Sequence, residues 1–111
     1  MLKLEIQNSP QFKIVRCSGR IVKEDGVEAL VRAVTSEDKR HIMIDLNEVS
    51  AIDAAGLGAL AGLEQWARDG NRTIHLANPS KRVREALETT GLSSVIQIVP
   101  AAPPRARHNA A

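Results

Sequence analysis

The chain has 111 residues, 43% hydrophobic and 25% charged, which excludes a disordered polymer and suits one domain with a modest core. Fifteen basic against thirteen acidic side chains leave a formal charge of +2, too small an excess to imply a nucleic acid or an anionic membrane as partner. A single cysteine excludes an intramolecular disulfide, and no secretory signal or apolar run of about 18 residues is present, so a cytoplasmic protein without membrane insertion is expected.

The stretch "LKLEIQ" alternates from Leu2 to Gln7, and "FKIVRCS" follows the turn residues Asn8-Ser9-Pro10-Gln11. Together they predict two strands of a hairpin, with Cys17 as a buried, inert thiol in the second. From Lys23 to Val34 the residues Val27, Leu30, Val31 and Val34 recur at helical spacing. "HIMIDL" reads as a strand buried on both faces. A second helix runs from about Ala54 to Arg68 and is closed by Gly70. "RTIHLAN" is the next strand. A third helix starts at Asn78-Pro79 or Ser80 and ends at Gly91, and "SSVIQIV" is the last strand. Strands alternating with helices of this length predict an α/β fold: a single small domain over residues 1–99, with a mostly parallel sheet of four to five strands and helices packed on it. Residues 100–111, rich in proline and alanine and without apolar periodicity, are expected to be a flexible tail.

The junction "SAIDAAGLGALAGLEQW" carries the functional question. Asp53 stands where a helix N-cap belongs, its carboxylate accepting from first-turn N–H groups. "GLG" alone is weak support for a phosphate loop, because no Lys-Ser/Thr pair follows. On a helical wheel Gly56, Leu60, Leu63 and Ala67 form the core face, with Leu57 at its margin. The opposite side collects Ala54, Ala55, Gly58, Ala61, Gly62 and Gln65, where a solvent face would carry Lys and Glu. Two glycines in an exposed helix cost about 1 kcal/mol each relative to alanine. A strip this smooth lets another backbone approach closely, either that of a partner protein or that of a loop or tail of the same chain.

Chemistry is otherwise sparse. The histidines at 41, 75 and 108 have no metal-ligand spacing, and no paired-acid, Ser-His-Asp or Cys-His arrangement can be assembled. Neither a catalytic residue, a metal nor a cofactor is therefore expected. Lys81, Arg82 and Arg84 gather on the third helix, but Phe12 and Trp66 are the only aromatics, which argues against base stacking and for a solvated helix face. Trp66, at the edge between core and smooth face, reads as a partly buried core residue.

From Leu2 to about Val99 the chain resembles the STAS domain family (sulfate transporter and anti-sigma-factor antagonist). "IMIDLNEVSAIDAAGLGAL" is similar to that family's strand, acidic turn and helix start, and "TIHLANPSKRVREALETTGLSSVIQI" to its closing strand, helix, Thr-Gly-Leu turn and final strand. In bacterial anti-sigma-factor antagonists the turn reads Asp-Ser-Ser-Gly or Asp-Ser-Thr-Gly, and a partner that is both kinase and anti-sigma factor phosphorylates its second hydroxyl residue. Here those positions fall on Asp53, Ala54, Ala55 and Gly56, so the phosphoacceptor position is Ala55 and has no oxygen. Ser50 and Thr73 are hydroxyls that could still be modified, but nothing in the sequence places them at the junction.

Two further departures stand out. Val22 occupies the place where the family commonly has an acid after Gly19-Arg20-Ile21, with Glu24 and Asp25 close behind as substitutes. The chain also turns to proline where some relatives add a final helix. The resemblance implies a non-enzymatic protein-binding regulator in transcription control. Its Asp53 turn and second helix would dock on an anti-sigma factor or a related ATP-binding regulator, without a phosphorylation switch. The alternative it implies is a subunit of a lipid-transport ABC system, meeting a transporter ATPase, or a signalling scaffold.

Overall fold

The computed structural model describes residues 1–36 and 38–100. Its elements are β1 (Lys3–Asn8), β2 (Phe12–Ile21), α1 (Val27–Thr35), β3 (His41–Ile52), α2 (Ala54–Asp69), β4 (Thr73–Ala77), α3 (Lys81–Thr89) and β5 (Gln97–Val99). Two single 3₁₀ turns, Lys23–Asp25 and Leu92–Ser94, complete them. The five strands lie in chain order in one sheet. β1 and β2 form the expected antiparallel hairpin, and β2, β3, β4 and β5 are all parallel. Each parallel strand lies beside its predecessor, so right-handed crossovers bring α1, α2 and α3 to one face.

That face holds the core. Val15, Ile44, Leu76 and Ile98 form one row across it, with Val15, Ile44 and Leu76 buried. Leu30 and Val34 of α1, Leu60 and Leu63 of α2, and Val83 and Leu87 of α3 close over the sheet. Cys17 is buried among them, and burial pushes its thiol up to about 12, as the apolar run around it predicts. Ser80 caps α3, its hydroxyl accepting from Val83 N at 3.3 Å.

Three boundaries differ from the sequence expectation. The helix expected from Lys23 breaks at Gly26, which has φ +89° and separates the first 3₁₀ turn from α1. The last strand, expected over Ser93–Val99, shrinks to three residues, because Val95 N and Ile96 N turn back to Leu92 O instead of joining the sheet. The third strand is twice its expected length. β3 runs on through "NEVSAI", whose register continues against Ser18–Ile21 of β2, whereas β4 stops at Ala77 opposite Asp45. β2 and β3 thus form an arm that projects past β4 and carries the Asp53 junction at its end. Of the expected tail only Pro100 is described, and residues 101–111 lie outside the described residues.

Candidate functional site

Asp53 joins three pieces of chain at the end of the β2–β3 arm. Its Oδ1 accepts from Gly56 N at 2.8 Å, the N-cap bond expected for α2. Its Oδ2 accepts from Lys23 N at 3.1 Å, in the turn that follows β2. Its own N–H donates to Ile21 O at 3.3 Å. The Gly56 and Lys23 amides together hold the Asp53 carboxyl below the ordinary carboxylate range. The residue therefore works as a clasp as well as a cap. Sequence reasoning found the cap, because its partner is three residues away, and missed the clasp, because Lys23 is thirty residues away.

Gly56 is part of the same clasp. A Cβ built there would lie 2.2 Å from Ile21 O and 2.7 Å from Ile52 Cγ1, so only glycine lets the first turn of α2 rest on the end of β2. Gly58 and Gly62 behave oppositely: a Cβ at either meets nothing within 4 Å. Both lie on the outer side of α2, exposed together with Ala54, Ala61 and Gln65, while Ala55 is half-buried beside Asp53. The inner side is the expected one, with Gly56, Leu60, Leu63 and Ala67 buried. The structure thus brings Asp53, Ala54, Ala55, Gly58, Ala61, Gly62 and Gln65 onto one continuous surface, from the acidic turn along three turns of helix. Gln65 donates to Asp69 Oδ1 at 2.8 Å and marks its polar end.

The surroundings sort the remaining candidates. Val22 is buried, so its side chain serves the core and not the junction. Asp25 does not take over as a free acid: Arg20 holds it at 3.0 and 3.2 Å, the N-terminal amine lies 3.6 Å away, and Arg20 lowers its pKa. Ser50 is exposed three residues before Asp53 and donates to Gly19 O at 3.4 Å. Thr73 sits at the opposite end of the sheet, 2.8 Å from His41 Nδ1. Trp66 is half-buried against the core, and the Arg72 guanidinium stacks 4.0 Å over its ring. That cover removes it from the smooth surface. His75 contacts Gln97 Oε1 at 3.0 Å. Among the described residues no three His, Cys, Asp or Glu side chains converge as a metal site, and no helix is long and apolar enough to cross a membrane.

Lys13 went unrecognised in the sequence. It is fully buried on the helix-bearing face of β2, where its Nζ donates to Ala33 O at 2.8 Å, to Val34 O at 3.4 Å and to Ser36 O. These are carbonyls of the last turn of α1, so a strand lysine caps a helix C-terminus. Nothing in "FKIVRCS" signals this, since its partners lie twenty and more residues downstream.

Known proteins agree with this architecture. Over 99 residues, 87% of this chain and 92% of the relative, the sequence is 22% identical to the anti-sigma-B factor antagonist of Staphylococcus aureus. The crystal structure of an anti-sigma factor antagonist from Mycobacterium paratuberculosis superposes with a TM-score of 0.80 at 19% identity, covering 91% of this chain and 87% of that one. A sulfate transporter family protein from Wolinella succinogenes does so with a TM-score of 0.72, also at 19% identity, covering 86% and 81%. The STAS domain profile matches residues 3–103, and with the one-sided β/α sheet and the Asp53 junction in place, the chain belongs to the STAS domain family.

Proposed function

We propose that this chain is a non-enzymatic, cytoplasmic protein-binding regulator of the anti-sigma-factor antagonist kind, locked in its binding-competent form. It docks on an anti-sigma factor or a related ATP-binding regulator through the Asp53 turn and the outer side of α2. The observation that carries this reading is the pair Gly58 and Gly62, exposed in mid-helix with open space where a Cβ would stand. Each costs helix stability of about 1 kcal/mol relative to alanine and returns nothing within the described fold. A partner backbone seated on α2 accounts for both. Ala54 and Ala55 take away the hydroxyls at the start of that surface. A phosphate at residue 55 would place about two negative charges next to the Asp53 carboxylate and the partner. Alanine keeps the surface uncharged, and the regulator stays on.

The test is affinity capture from the source cell with the bait weighed intact, followed by titration of the purified partner. An anti-sigma factor retained by a bait without added phosphate is the expected result. Gly58→Arg and Ala61→Arg should each abolish that binding with little change in thermal stability. If both variants bind as the parent does, α2 is not the interface. Retention of a transporter ATPase or a signalling scaffold in place of an anti-sigma factor would assign the chain to the alternative role.

A further inference from the structure

The helices cover only one face of the sheet, and the opposite face has an apolar trough of about 290 Å³. Phe12, Ile14, His41, Met43 and His75 are in its wall. Lys13 and Ile42 border it too, but their side chains turn to the helices. Alternation along "HIM" puts His41 and Met43 on this same face of β3, and the parallel register sets His75 of β4 directly beside Met43. Two residues of strand span about 6.6 Å and one strand spacing is about 4.8 Å, so the three Cα atoms lie within about 8 Å of one another.

Both imidazoles are held by one nitrogen. His41 Nδ1 is 2.8 Å from Thr73 Oγ1, and His75 Nε2 is 3.0 Å from Gln97 Oε1. Gln97 Oε1 can only accept, so His75 carries its proton on Nε2 and keeps the lone pair on Nδ1. Thr73 Oγ1 can accept from His41 Nδ1, which leaves that lone pair on Nε2. Metal-bound histidines characteristically make this outer hydrogen bond, which fixes the tautomer and the ring.

We propose that His41 Nε2, Met43 Sδ and His75 Nδ1 bind a monovalent soft metal ion, copper(I). Thioether and imidazole are ligand types that suit copper, and the thioether selects its reduced form. All three donors are neutral, and among the described residues the wall of the trough has no carboxylate or thiol. A divalent ion would enter this apolar hollow with none of its charge offset, whereas copper(I) brings half that charge. The spacing of the histidines gave no metal signal, because the third donor is a methionine and the two strands meet only in the sheet. The site lies on the face opposite α2, so the proposed docking surface takes no part in it.

Copper(I), kept reduced without oxygen, is offered to the full chain in competition with a chromophoric chelator, and the protein is followed by NMR. The expected result is withdrawal of one equivalent, with shifts of the Met43 methyl and of the His41 and His75 ring protons. Met43→Leu, which conserves volume, should weaken binding at least tenfold and leave thermal unfolding nearly unchanged. His75→Gln should weaken it likewise. Cys17→Ala should bind as the parent does, because the Cys17 thiol is buried and pushed up to about 12. No withdrawal from the chelator would overturn the proposal, as would shifts centred on Met1, Cys17 or His108. Met43→Leu binding as tightly as the parent, or zinc(II) binding as tightly as copper(I), would also sink it, since the thioether would then not be a ligand.

Discussion

Gly56, Gly58 and Gly62 lie within seven residues and have opposite reasons for being glycine. At Gly56 a methyl group would run into Ile21 O, so Gly56→Ala should lower stability by about 1–3 kcal/mol in a denaturant titration. At Gly58 and Gly62 a methyl group meets open space, so Gly58→Ala and Gly62→Ala should each raise stability by about 0.5–1 kcal/mol. If the partner backbone rests on α2, the same two changes weaken binding, an exchange of stability for affinity that one protein preparation can measure both ways. Asp53 adds a pH dependence. Its carboxyl is held low by the Gly56 and Lys23 amides, so its contribution is complete above the unfolded carboxyl's range near pH 4. That contribution is lost as pH falls through the lower folded value. The midpoint of thermal unfolding of the parent should therefore fall more steeply below about pH 4 than that of Asp53→Asn, with the gap closing at the most acidic end. Parallel curves for the two proteins would show that the clasp does not depend on the charge.

Elements explain how the site is presented. β2 and β3 pair beyond the end of β4, and this arm carries the junction clear of the remaining strands. Its inner end is secured by Lys13, whose ammonium gathers the last carbonyls of α1. Lys13→Met keeps the volume and removes the donors, so it should cost about 2–3 kcal/mol and speed hydrogen exchange in the last turn of α1 before any other element. Exchange that rises evenly across the molecule would argue that the lysine is ordinary core filling. The periodicity of "VEALVRAVT" and the alternation of "LKLEIQ" made α1 and β1 legible, because both depend on neighbours within one element. The length of β3 was not legible, because "NEVSAI" becomes strand only by pairing with Ser18–Ile21. The start of α1 was misread for a local reason: Gly26 takes a left-handed φ, and its effect outweighs the apolar spacing around it.

At the scale of the molecule the STAS fold is kept, and in the function proposed above Ala55 stands at the phosphoacceptor position. Restoring a hydroxyl is then the sharpest intervention. Ala55→Ser, half-exposed beside Asp53, should accept phosphate from the anti-sigma factor kinase of a related system, as read by intact mass. Partner binding should then fall by at least tenfold on modification. If Ala55→Ser stays unmodified under conditions that phosphorylate a related antagonist, recognition by a kinase has been lost along with the acceptor.

The sequence by itself determined the order of strands and helices, the polarity of α2 and the position of the acidic junction, because each follows from periodicity or from contacts within one turn. Only the tertiary structure decided that Asp53 also clasps Lys23, that Gly56 is compulsory while Gly58 and Gly62 are not, and that a lysine in a strand caps a helix. The physical reason is common to all three. Hydrogen bonds and steric limits between residues twenty to thirty-five positions apart leave no periodic trace in the chain, and come into being only when the crossovers bring β2, α1 and the start of α2 together.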